Sequence, residues 1–206
     1  MNHRQIYFIG GAPTLGKSTL AQMLSQYLGI PWISTDQIRD IIRRATKYEE
    51  LPKLFPPKDY DLERFFSEFS PQQIVQMEIE QGECAWPGIV DFIENDYTWT
   101  DGFVVEGVNV LPHLVHRSFS ERTNVKTVFV KKSCSESIRK VIFERGICDT
   151  QSQKIKEKEL EWVLLFDQKI QQLAVEYGFC LLEMNKNASD FSDLLRLFGF
   201  ESLNRF

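Results

Sequence analysis

Residues 11–18 read Gly11-Ala12-Pro13-Thr14-Leu15-Gly16-Lys17-Ser18, and few chains that carry such a run can fold in more than one way around it. An apolar run (residues 6–9) leads into it, and a stretch with Leu20, Leu24, Tyr27 and Leu28 on one side, closed by Gly29, follows it. That order predicts a buried strand, a tight glycine turn and an amphipathic helix. Glycine lets the backbone wrap closely enough for its N–H groups to converge on an anion. A helix beginning near Lys17 aims the positive end of its dipole at the same point. Lys17 adds an ammonium suited to β and γ phosphates, and Ser18 adds a hydroxyl suited to Mg²⁺. Gly11, Ala12, Pro13, Thr14, Leu15, Gly16, Lys17, Ser18 and Thr19 are therefore the expected binding residues for a nucleoside triphosphate and its Mg²⁺.

The rest of the chain alternates. Short apolar runs at 31–34, 103–106, 126–130 and 179–182 read as strands, and helical patterns occupy 36–47, 71–95, 111–119, 135–145, 151–177 and 190–198. Near-continuous apolar strands separated by helices indicate a parallel sheet covered on both faces, an α/β fold. In helix 36–47, Ile38, Ile41, Ile42 and Ala45 are expected to face inward. Residues 48 to about 100 break the alternation. They are rich in proline and aromatics, hold a short helix near 62–69 and predict a kink at Trp86-Pro87. We expect this stretch to be an insertion over one sheet edge, with its tryptophans and phenylalanines as core.

With 206 residues and 43% hydrophobic content, the chain can bury a core without disulfide staples. The net charge of −5 argues against broad nucleic-acid binding, which depends on phosphate neutralisation. No apolar run reaches the length of a membrane span or of a signal peptide's apolar region. Cys84, Cys134, Cys148 and Cys180 form no C-x-x-C pair. These features predict a cytoplasmic protein with reduced thiols and no membrane partner. His113 and His116 lack a second ligand pair at metal spacing, so zinc is not expected.

Asp36 follows the second strand and so sits at the carboxyl edge of the sheet, where open α/β sheets bind ligands. A carboxylate there can orient and deprotonate a hydroxyl. Equally, Ser34-Thr35-Asp36 opens a helix, and Asp36 reads as its N-cap. Arg39, Arg43 and Lys47 form a basic stripe opposite the isoleucines that starts beside the phosphate turn, consistent with an anionic acceptor. Glu106 ends the third strand and suits a metal's waters or substrate. Asn185-Lys186-Asn187-Ala188 lacks the carboxylate of a guanine-reading Asn-Lys-x-Asp, which favours ATP.

Taken with the strand that precedes it, the glycine–lysine turn and Ser34-Thr35-Asp36-Gln37-Ile38-Arg39 resemble the small P-loop kinases of the nucleoside-monophosphate-kinase type. Among these the chain looks closest to the 2-phosphoglycerate kinase group. Val104-Val105-Glu106-Gly107-Val108-Asn109-Val110-Leu111-Pro112 is similar to that group's Glu-Gly-Val-His segment, with Asn109 where the group has His. Ser135-Glu136-Ser137-Ile138-Arg139 and Arg145 resemble the arginine-bearing lid. The resemblance implies a P-loop NTPase three-layer α/β/α domain over 1–206, with a five-stranded parallel sheet in the order 2-3-1-4-5. Residues 48–100 would be an acceptor-binding helical insertion and about 139–156 a lid. It implies ATP and Mg²⁺ as cofactors, Asp36 as general base, and Arg39 against a small-molecule acceptor. Arg43, Glu106 and Asn109 would border that acceptor, and Arg139 and Arg145 would face the phosphates. A kinase acting on 5′-hydroxyls of nucleotides or polynucleotides, and a nucleotide-binding switch, are the two alternatives.

Overall fold

A computed structural model describes residues 4–57, 60–185 and 189–200. Its centre is β1 (Gln5–Gly10), paired in parallel with β3 (Gly102–Glu106) on one side and β4 (Val125–Lys131) on the other. Strands β2 (Trp32–Ser34) and β5 (Cys180–Glu183) form the edges, giving the order β2-β3-β1-β4-β5. This is the order expected from the resemblance. Every residue of β3 is buried, as a parallel strand covered on both faces requires.

Successive β1 side chains enter opposite layers. Tyr7 packs on Phe198, 5.4 Å between ring centres, just after α8 (Ser189–Leu197). Phe8 packs on Trp86 and Phe119, at 6.1 and 5.3 Å. Those residues belong to α4 (Pro71–Asn95) and α5 (Pro112–Phe119). The remaining helices are α1 (Lys17–Leu28), α2 (Thr35–Ala45), α3 (Leu62–Glu68), α6 (Ser135–Glu144) and α7 (Gln153–Glu176), with a 3₁₀ turn at Pro52–Leu54.

Helix α4 opens on a reciprocal capping box between Ser70 and Gln73, with Pro71 in its first turn, and it continues across Pro87. Its second half, with Trp86, Ile89 and Ile93, is buried in the main core beneath β1 and β3. Its first half carries Ile74 and Glu78 to a cavity wall. One helix therefore joins the core to the cavity rigidly, although the sequence of this region reads as an addition to the sheet.

Helix α2 corrects a second expectation. Ile41 is 66% exposed, and Ala45 also faces solvent. Arg39 and Arg43 turn instead toward α4, where Glu78 and Gln81 accept hydrogen bonds from them. Ile38 and Ile42 pack against the core as expected, so the departure is confined to Ile41 and Ala45, while polar partners on the neighbouring helix draw the two arginines in.

Candidate active site

The strand register brings Ile9, Ser34 and Glu106 side by side at the carboxyl ends of β1, β2 and β3. The 11–18 turn rises from this edge. Gly11 has φ 136°, and a Cβ there would lie 2.7 Å from the Val130 carbonyl oxygen, so only glycine lets the turn leave the sheet here. Gly16, at φ 100°, caps α1. Thr14 is the non-glycine residue with positive φ among the described residues (φ 67°), and its Oγ1 is buried with no hydrogen-bond partner in the protein. Strain and an unpaired polar atom in one turn are what a loop built around an anion would carry.

Lys17 is buried and folds back over the turn, its Nζ donating to the Ala12 carbonyl at 2.8 Å. Burial lowers its pKa, while the carboxylates of Asp36, Glu106 and Asp167 act in the opposite direction. Glu106 is also buried, and this raises its pKa despite the pull of Lys17. The nearby hydroxyls of Ser18 and Ser34 favour its charged form and oppose that rise. Ser18 and Glu106 thus form an oxygen pair beside the lysine, the donor chemistry that suits Mg²⁺.

Asp36 lines the same cavity as this turn and attracts Lys17 electrostatically. The helix cap of α2 is Ser34, whose hydroxyl accepts the Asp36 N–H at 3.3 Å. The Asp36 carboxyl, 43% exposed, faces the cavity instead of capping the helix. Asn109 holds it: Nδ2 donates to Asp36 Oδ1 at 2.8 Å and approaches Thr35 Oγ1 at 3.4 Å. The Asn109 carbonyl oxygen accepts from Arg39 Nη1 at 3.4 Å. One buried amide therefore ties the carboxylate to the guanidinium. The turn that delivers Asn109 depends on Gly107, at φ 144°, where a Cβ would lie 2.0 Å from Thr35 Oγ1.

A cavity of about 970 Å³ collects Pro13, Thr14, Gly16, Lys17, Ser18 and Thr19 together with Asp36, Arg39, Glu106 and Arg145. Gly11 has no side chain and those of Ala12 and Leu15 are buried, leaving backbone as the contribution of all three. Arg43 lines a smaller recess of about 200 Å³ behind Arg39, bonded to the Leu54 carbonyl at 3.1 Å and to Gln81 at 2.7 Å. Arg139 does not line the cavity. It pairs with Glu157 and lies 4.4 Å from the Phe143 ring centre, because an oppositely charged residue on α7 faces it. Of these two arginines, Arg145 lines the cavity and Arg139 does not.

The Arg145 turn is secured by Glu159, a fully buried carboxylate on α7. It accepts the Cys148 N–H at 2.7 Å and the Ile147 N–H at 3.4 Å. Burial and Glu159 together push the Cys148 thiol up to about 12, so this cavity-lining cysteine stays protonated and unreactive. Sequence reasoning missed Glu159 and Glu78, since neither belongs to a motif. Lys186, Asn187 and Ala188 lie outside the described residues.

No protein-family model matches the chain. Over 169 residues it is 29% identical to a protein named 2-phosphoglycerate kinase from Methanococcus maripaludis (strain C7), covering 77% of this chain and 51% of that protein. The protein of the same name from Methanothermobacter thermautotrophicus is 29% identical over 139 residues, 66% of this chain and 45% of its own. The chain spans about half the length of the curated relatives it matches. Shikimate kinase from Acinetobacter baumannii, solved in complex with shikimate, superposes with a TM-score of 0.57 at 13% identity, covering 98% of this chain and 97% of that one. Shikimate kinase from Bacteroides thetaiotaomicron gives 0.54 at 16%, covering 95% and 98%. The chain thus has the three-layer α/β/α fold of P-loop kinases and is related in sequence to 2-phosphoglycerate kinases.

Proposed function

We propose that the protein is an ATP-dependent phosphotransferase that moves the γ-phosphoryl group to a hydroxyl of a small metabolite. The observation that carries this reading is the Asp36 carboxylate, which shares one cavity with the glycine–lysine turn and is held by Asn109. A nucleotide switch has no need of such a base. The names of the relatives and the kinase fold support the same reaction class.

MgATP, when bound, supplies the phosphoryl group and neutralises part of its charge. The residues present fit it. The amides of the 11–18 turn and the unpaired Thr14 hydroxyl are suited to phosphate oxygens, and Ser18 with Glu106 to Mg²⁺. Lys17 holds a buried positive charge beside them, and Arg145 brings a second from the lid side of the cavity. Asp36 Oδ1 is taken by Asn109, and Oδ2 makes no hydrogen bond within the described residues. Oδ2 therefore receives the proton as the acceptor hydroxyl attacks phosphorus. Arg39 anchors the acceptor. Closure of the Arg145 turn and α3 over the cavity excludes water, which favours transfer over hydrolysis.

The test is an ADP-release screen with MgATP against sugars, nucleosides, hydroxy acids, phosphorylated acids and short oligonucleotides. The reading expects release that depends on an acceptor and yields its phosphate ester. Release that no acceptor stimulates would contradict it.

A further inference from the structure

The acceptor end of the cavity holds a guanidinium that is already balanced. Arg39, 14% exposed, donates from Nη1 to Glu78 Oε2 at 3.2 Å, and its Nη2 lies 4.0 Å from Asp36 Oδ1. Its Nε is buried and has no hydrogen-bond partner among the described residues. Glu78, on α4, is 24% exposed and lines the same cavity. Burial raises the Glu78 pKa, opposed chiefly by Arg39, with Asp36 and Arg43 acting weakly in opposite directions. The next cation, Arg43, is engaged by Asp40 at 3.1 Å, by Gln81 and by the Leu54 carbonyl. Two guanidiniums therefore face three carboxylates before any acceptor arrives, and of the three Asp36 also attracts Lys17. Beyond them the wall is apolar and aromatic, formed by Phe65, Phe66, Ile74 and Trp162.

A singly charged carboxylate fits this arrangement. It can accept from the Arg39 guanidinium and rest its carbon body on the aromatic wall. A phosphate dianion at the same point meets the Glu78 and Asp36 carboxylates at contact range, with one shared guanidinium to offset them.

We propose that Glu78 sets a charge limit on the acceptor. By neutralising Arg39, it restricts the group received there to at most one negative charge and selects hydroxy acids or uncharged alcohols with an apolar body over phosphorylated acids. The charge limit deepens the phosphotransferase reading, in that the bound molecule is the acceptor of that reaction, yet it is tested by binding alone.

The experiment is calorimetric titration at pH 8, with MgADP present, of glycerate and of 2-phosphoglycerate, which share a carbon skeleton and differ in one phosphate. It compares the wild-type protein with Glu78→Gln, which keeps the volume and a hydrogen-bond acceptor for Arg39. Glu78→Ser serves if the first variant fails to fold by urea unfolding. The expected result is a gain of at least tenfold in 2-phosphoglycerate affinity in the neutral variant, with glycerate affinity unchanged within threefold. Glu78→Asp should retain the wild-type preference. Equal 2-phosphoglycerate affinity in wild type and variant, binding of that acid by neither, or an equal gain for both acids would each overturn the proposal. Failure of the phosphotransferase reading would appear separately, as ADP release that no acceptor stimulates.

Discussion

Asn109→Ala removes the amide that aims Asp36, and its consequences can be worked from the geometry. The side chain is fully buried and serves three partners: Asp36 at 2.8 Å, and Thr35 and Arg39 at 3.4 Å each. A hydrogen bond to an ionised group contributes about 1.5–3 kcal/mol. If the Asp36 bond is realised fully in the transition state, its loss lowers kcat by roughly 10- to 100-fold. Folding stability falls by about 2 kcal/mol, because the groups left behind are partly buried. The affinity for ATP should hold, since the hydrogen bonds of Asn109 go to Asp36, Thr35 and Arg39 and not to the 11–18 turn among the described residues. Steady-state ADP release with the acceptor found in the screen, beside a urea melt and an ATP titration, separates these quantities. A kcat within twofold of wild type would refute the aiming role. So would a loss of ATP affinity as large as the loss of rate, since that would indicate general damage to the site.

Gly107→Ala forces a Cβ against Thr35 Oγ1 at a left-handed φ and should cost about 2 kcal/mol or more in urea unfolding. Glu159→Ala leaves the part-buried Ile147 and Cys148 amides without their acceptor, so their hydrogen exchange should accelerate about tenfold or more, at roughly 1–3 kcal/mol per lost partner. Glu159→Gln, which retains a carbonyl oxygen, should fall between. Asp167, buried on α7 with Oδ1 unpartnered, has its pKa raised to about 6 by burial. The folded state therefore holds this proton more tightly than the unfolded chain does, and the resulting stability is lost as pH rises through about 6. Asp167→Asn should match wild type near pH 4 and exceed it by roughly 1–3 kcal/mol at pH 7.5. An identical gap at both pH values would remove burial of the charge as the cause.

The glycine–lysine turn, the strand–helix alternation and the carboxyl-edge position of Asp36 are legible in the sequence because each is a local pattern. The strand order came through resemblance, since no pattern along the chain says which strands pair. Whether Asp36 caps its helix or faces the cavity turns on Ser34, two residues earlier, and both residue types are good caps. Helix α2 is only half read by hydrophobicity: Ile38 and Ile42 pack on the core, but Ile41 and Ala45 do not. Its arginines lie inward only because Glu78 and Gln81 stand on α4, far along the chain. Trp86 reads as part of an insertion, yet its ring completes the packing around Phe8. Arg139 and Arg145 look equivalent in sequence. Glu157 opposes one, and Glu159 secures the turn that carries the other to the cavity.

The central claim is that the 11–18 turn binds the triphosphate and Asp36 takes the proton. Its most direct test is a single-turnover experiment on Asp36→Asn with [γ-³²P]ATP, Mg²⁺ and the acceptor from the screen. The account predicts ATP binding within about threefold of wild type and transfer slowed by roughly 100-fold or more. Wild-type transfer by Asp36→Asn, or loss of ATP binding in step with transfer, would contradict it.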